Sequence, residues 1–197
     1  GLKNNDERLT SYSPKEDYIN NFAKSGILLD AVDKVNETPS KEILVMKQEG
    51  TTYLQMQDLN LYEQNSVNGY YSQFIQSVSS QATESGLTVK SNELYRTQNG
   101  NVYFHIVTEG KIDDNLPVIF PTYYTIMNQK MEVISIRYYN TPMDETSEKS
   151  IIENITFDAL PRDNSYQEYT TIVYSIVGVI VAVFAIAVLV IRAKDKR

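Results

Sequence analysis

From Ile172 to Ile191 the chain reads IVYSIVGVIVAVFAIAVLVI, twenty residues without a charge, followed by the six residues RAKDKR. At about 1.5 Å of rise per residue, such a run spans a hydrocarbon core of roughly 30 Å. A helix satisfies its backbone hydrogen bonds internally in lipid, and the branched side chains give it an apolar surface all round. The run therefore predicts a single transmembrane helix over about 170–192, with 193–197 as a basic tail. A buried core helix is the competing reading.

The flanks predict its direction. Arg192, Lys194, Lys196 and Arg197 follow the helix against only Asp195, whereas DALPRDNSYQEYT before it is acidic. Lys and Arg are retained on the cytoplasmic side, so the tail is expected inside the cell and residues 1 to about 169 outside. Tyr169 and Tyr174 fall at the depth of the outer interface, where amphipathic rings are favoured. The chain starts at Gly1 with no apolar stretch, so an export signal is expected to have been removed. The alternative, a tail-anchored protein with a cytoplasmic domain, would translocate four basic residues. Within the helix, Gly178 and Ala182 lie four apart, with Ser175 and Ala185 near the same side. Small residues at that spacing let helices approach, so this face is a candidate for self-association or for packing on another subunit's helix.

The remaining chain is one domain's worth. The chain holds 18 Lys and Arg against 25 Asp and Glu, and without the tail the balance is 14 to 24, a net of −10. That sign argues against nucleic acid and against lying flat on anionic lipid. The chain has no cysteine, which excludes disulfides, thiolate metal sites and a Cys nucleophile. For a domain outside the cell this favours a bacterial surface. Asn36-Glu37-Thr38 and Asn154-Ile155-Thr156 fit the glycosylation sequon, a pattern common by chance.

Residues 1–12 are polar and read as a loose N-terminal segment. Ser13-Pro14-Lys15-Glu16 opens a short amphipathic helix closed by Gly26. Segments 27–33, 42–48 and 51–59 read as strands, the last from the alternation of Leu54 and Met56 with glutamines. Over 66–84, Val67, Tyr70, Tyr71, Phe74, Ile75, Val78 and Ala82 follow helical spacing, and Gly86 supplies the stop. Strands 87–96 and 101–109 meet at Gln98-Asn99-Gly100, a hairpin signal. KIDDNLPVIFP reads as a loop, after which 122–128 and 130–139 form a second hairpin across Asn128-Gln129. Thr141-Pro142 opens a closing helix with Asp144 near its positive end and Ile151, Ile152 and Ile155 inward. Residues 159–169 make a tether.

Hairpins with helices segregated to their faces predict an α+β domain over 13–158, built on an antiparallel sheet. The order of the strand LQMQDLN, a long amphipathic helix, the hairpin GLTVKSNELYRTQNGNVYFHIV, the hairpin YYTIMNQKMEVISIRYY and the helix SEKSIIENITFD resembles the PsbP-like family. The resemblance covers roughly residues 40–158 and implies a small αβα sandwich that acts as a binding or assembly domain on membrane machinery. It transfers no functional residue.

No residue pattern points to catalysis, a cofactor or a metal. His105 is the only histidine and reads as a packed or half-exposed strand residue without ligating partners. Asp113-Asp114 lacks the spacing of a calcium loop. Glu109 and Glu132 are conceivable members of a carboxylate pair, with nothing to prefer them over surface charges. The fifteen tyrosines include the pairs Tyr70-Tyr71, Tyr123-Tyr124 and Tyr138-Tyr139, and strand alternation turns one ring of each strand pair away from a one-sided core. Outward tyrosines suit a contact surface, which makes Tyr123 and Tyr139 candidates for a partner face; ordinary strand propensity explains them as well. The sequence thus points to a membrane-anchored accessory or regulatory domain that binds a partner at the cell surface. A tethered extracytoplasmic hydrolase is the alternative, and a sensory input domain is a third reading.

Overall fold

The computed structural model describes residues 24–36, 38–50, 53–112 and 116–157. The amphipathic helix expected after Ser13, the tether and the transmembrane helix lie outside these residues, along with Ser175, Gly178, Ala182, Ala185 and the basic tail. Among the described residues no helix is long and apolar enough to cross a membrane.

Six antiparallel strands form one sheet: β1 (Ile27–Val35), β2 (Thr38–Gln48), β3 (Thr88–Arg96), β4 (Val102–Ile112), β5 (Leu116–Met127) and β6 (Lys130–Tyr139), in the spatial order β1-β2-β6-β5-β4-β3. Helix α1 (Gln64–Glu84) carries the chain from β2 to the far edge at β3, and helix α2 (Glu145–Glu153) follows β6. The α+β expectation holds at this level.

Side-chain period explains the layers. Leu44, Met46, Phe104, Ile106, Tyr124, Ile126, Met131 and Val133 form the larger core with Val67, Tyr70, Phe74 and Val78 of α1. On the opposite face Tyr103, Tyr123 and Ile134 pack with Ile152 of α2. The sheet is therefore covered on both sides, which overturns the expectation that paired strand tyrosines expose one ring. Tyr123 is 1% and Tyr124 3% exposed, because α2 supplies the second cover.

Two further expectations fail for physical reasons. Within the strand expected over 51–59, the described residues from 53 onward form no strand: Tyr53–Gln55 and Leu59–Leu61 are 3-10 turns. Tyr53, Met56 and Leu59 are the buried positions, a spacing of three rather than two, and Leu54 stands 59% exposed. The loop expected over KIDDNLPVIFP is largely strand, since β4 runs to Ile112 and β5 starts at Leu116. Pro121 is tolerated because the β5–β6 register passes from Ile119↔Tyr138 to Thr122↔Ser135, so no ladder bond to β6 is asked of the proline.

Turn chemistry fixes the registers that matter for the site. Thr97 N–H donates to Asn101 O at 3.0 Å and Gly100 takes φ of 89°, closing the β3–β4 hairpin. Asn128 and Gln129, at φ of 53° and 62°, close β5–β6. Gly26 takes φ of 71° where a Cβ would stand 2.0 Å from Lys47 O, so the backbones meet there only without a side chain.

Candidate functional site

The β3–β4 register places Glu93 directly opposite His105, and Tyr95 opposite Tyr103. These four side chains point to the α2 face. Helix α2 is fastened across that face at both ends. Asp144 caps it by accepting from Ser147 N–H at 3.0 Å, and Lys41 Nζ of β2 donates to Ser147 Oγ at 2.8 Å. At its other end Glu153 accepts from Tyr95 OH at 2.6 Å and from Gln98 N–H at 2.8 Å. Burial, the Glu153 hydrogen bond and its charge push the Tyr95 phenol up to about 12.

Between this braced helix and the sheet lies a pocket of about 210 Å³. His105 and Tyr123 are among its sheet-side walls, with Ser91 and Glu93 of β3 beside them. Glu145, Glu148 and Lys149 of α2 and the preceding Met143 close the other side. The imidazole stacks on the Tyr123 ring with centroids 4.1 Å apart and planes 7° from parallel. Its Nδ1 lies 3.0 Å from Glu93 Oε1.

That pairing sets the proton's place. Glu93 is an exposed carboxylate, 53% open to solvent, and so an acceptor; Nδ1–H donates to it, leaving Nε2 with a free lone pair. Burial depresses the imidazole's affinity for a second proton, and the Glu93 hydrogen bond and charge oppose this only in part. His105 is thus held neutral, in one tautomer, by a side chain of the neighbouring strand. Its Nε2 is buried with no hydrogen-bond partner.

Glu148 is the second unusual group. It is 1% exposed, and its Oε1 is also buried without a partner. Burial pushes its carboxyl up to about 7; Tyr138 and Lys41 oppose the rise, while Glu145 and Asp144 add to it. Two acceptor-capable atoms, one on the sheet and one on the helix, therefore belong to residues lining the same pocket.

The candidates read from the sequence fall elsewhere. Tyr123 lies under α2 in the pocket wall and is not outward contact area. Tyr139 is half-buried on the α1 face, where its hydroxyl hydrogen-bonds Glu42. Glu42 and Arg137, 2% and 3% exposed, pair across β2 and β6 at 3.3 Å, so Tyr139 belongs to a buried ionic network. Glu109 pairs with Lys90 at 3.0 Å at one end of β4, while Glu132 stands beside Thr125 toward the far end of β5. The two do not share a cleft. Among the described residues no group of three His, Cys, Asp or Glu side chains is disposed to hold a metal ion.

No protein-family model matches this chain, and no curated protein does. Among solved structures, the crystal structure of PA94, a protein of unknown function from Pseudomonas aeruginosa, is similar over 67% of this chain and 82% of that one, with a TM-score of 0.44 and 6% identity. A likeness that slight carries neither a fold family nor a function.

Proposed function

We propose that this chain is a membrane-tethered binding module. Its α+β domain faces out of the cell on a C-terminal transmembrane helix and serves a cell-surface membrane complex as an accessory or regulatory partner, with the pocket under α2 as its ligand site. The single observation that carries the binding reading is the pair of buried, partnerless polar atoms, His105 Nε2 and Glu148 Oε1, on residues of one pocket. Buried polar groups in folded proteins find partners, and a bound molecule is one way to supply them. The tether rests on the charge-free run 172–191 and its basic flank. The PsbP-like resemblance belongs to the same proposal, since helix, antiparallel sheet and helix are the layers it implies.

The hydrolase alternative would use the Glu93–His105 pair as an oriented base. A side-chain nucleophile for such a base would have to lie within hydrogen-bond reach of Nε2, and no described side chain does. Binding is therefore the better supported reading. A thermal-shift screen of small metabolites on the full chain tests it, with Ser91→Phe, which fills the pocket from an exposed strand position, as the control. Compounds are expected that raise the melting temperature of the native chain and not of Ser91→Phe. A screen in which every stabiliser acts equally on both chains contradicts the reading.

A further inference from the structure

The pocket's chemistry narrows its occupant. His105 is 8% and Glu148 1% exposed, and both present an atom without a partner. Because Nδ1–H is committed to Glu93 at 3.0 Å, Nε2 can only accept. The ionised Glu148 Oε1 can only accept as well. A ligand that satisfies both must bring at least two donors.

Charge selects among such ligands. Glu93, Glu145 and Glu148 line the pocket against one cation, Lys149, which itself lies 3.9 Å from Glu145. An anion would be repelled, and a neutral alcohol brings a single donor. A primary ammonium group brings three donors and a positive charge in a compact head. The remaining wall suits a short carbon chain, since Val107 and Met143 line it. The pocket volume of about 210 Å³ leaves room for such a head and a few carbons.

We propose that the pocket under α2 binds a small primary amine in its ammonium form, with N–H groups shared between His105 Nε2 and Glu148 Oε1. This rests on the binding reading above and adds the class of ligand. It also gives binding a pH dependence. The groups that face Glu148 or share its pocket are Lys41 of β2, Glu93 of β3, His105 of β4, Tyr123 of β5, Tyr138 of β6, and Asp144, Glu145 and Lys149 around α2. Of these His105 stays neutral near pH 7, so the proton released on binding an ammonium comes from Glu148. Affinity then rises about tenfold between pH 6 and pH 8 as that carboxyl ionises.

The sole histidine gives a direct readout. The full 197-residue chain, labelled with [15N]histidine and solubilised in a non-ionic detergent, is titrated with n-propylammonium, n-propanol and propionate. The expected result is a saturable movement of the Nε2 resonance with n-propylammonium alone, weakened about ten- to a hundredfold by Glu148→Gln and strengthened by raising the pH. Equal responses to n-propanol or propionate would overturn the ligand class while leaving a binding pocket. No response to n-propylammonium, beside a screen that finds pocket-dependent stabilisers, would also overturn the class alone. No response to any probe and no pocket-dependent stabiliser would overturn the binding reading with it. A titration that Glu148→Gln leaves unchanged would remove Glu148 from the site.

Discussion

Replacing Glu148 by Gln should stabilise the protein, and only at neutral to alkaline pH. In the unfolded chain Glu148 loses its proton near 4.5, whereas burial in the fold delays the loss to about 7. Between those values the folded state holds a proton that the unfolded state has released, so stability falls as pH rises through this window, and the full cost is present above it. A rise from 4.5 to about 7 corresponds to roughly 3 kcal/mol at 1.36 kcal/mol per tenfold step in proton affinity. Gln keeps the shape and lacks the charge, but it leaves its own amide dipole incompletely paired. That cost is the same at every pH, so the stability difference between Glu148→Gln and the native chain is expected to widen by about 2 kcal/mol from pH 5 to pH 8 as Glu148 ionises. For a domain of this size that is about 6 °C in melting temperature. Urea unfolding of both chains at the two pH values, followed by circular dichroism, measures it. A difference that stays constant across the range, or a variant less stable than the native chain at pH 8, would refute the argument that burial governs this carboxyl.

Other expectations follow from individual contacts. Arg137→Met deprives the buried Glu42 carboxylate of its guanidinium and should cost about 3 kcal/mol, whereas Glu42→Leu with Arg137→Met should recover more than half of it in the same unfolding assay. Glu93→Gln keeps an acceptor for Nδ1–H but removes the charge that supports protonation of His105, so the imidazole midpoint, already below 6.5 in the native chain, should fall further in an NMR titration. Gly26→Ala combines a positive φ with a Cβ 2.0 Å from Lys47 O and should destabilise by about 2 kcal/mol or more. Because the chain is free of cysteine, single introduced thiols report topology: Ser150→Cys, on the exposed side of α2, should react with a membrane-impermeant maleimide on intact cells, and Lys196→Cys should react only after lysis.

Local signals carried much of this fold, and long-range ones carried the site. The stripe from Val67 to Ala82 and the Asn99-Gly100 turn were readable because period and turn chemistry act over a few residues. The misreadings each have a particular cause. Leu54 and Met56 imitate strand alternation, but the burial of Tyr53, Met56 and Leu59 follows a turn of three. Pro117 and Pro121 look like breakers, yet β5 keeps its pairing to β4 through both. Strand alternation alone places Tyr123 outside, because nothing local announces that α2, some twenty residues later, covers its face. His105 has no partner in its local sequence because Glu93 is twelve residues away in the chain. The hairpin register could have supplied that pair: counting outward from Thr97↔Asn101 brings Glu93 opposite His105. No such count reaches Glu148, whose place depends on how α2 lies across the sheet.

The central claim, that the space beneath α2 is a ligand site built around an acceptor nitrogen, meets its most direct test in the 15N resonance of His105 Nε2 in the full chain. It should be recorded before and after adding the compounds that stabilise the native chain and not Ser91→Phe. The account requires an unprotonated Nε2 in the free protein at pH 7.5 and a saturable movement of that resonance on binding. A protonated Nε2 in the free protein, or a resonance indifferent to every pocket-dependent stabiliser, would contradict it.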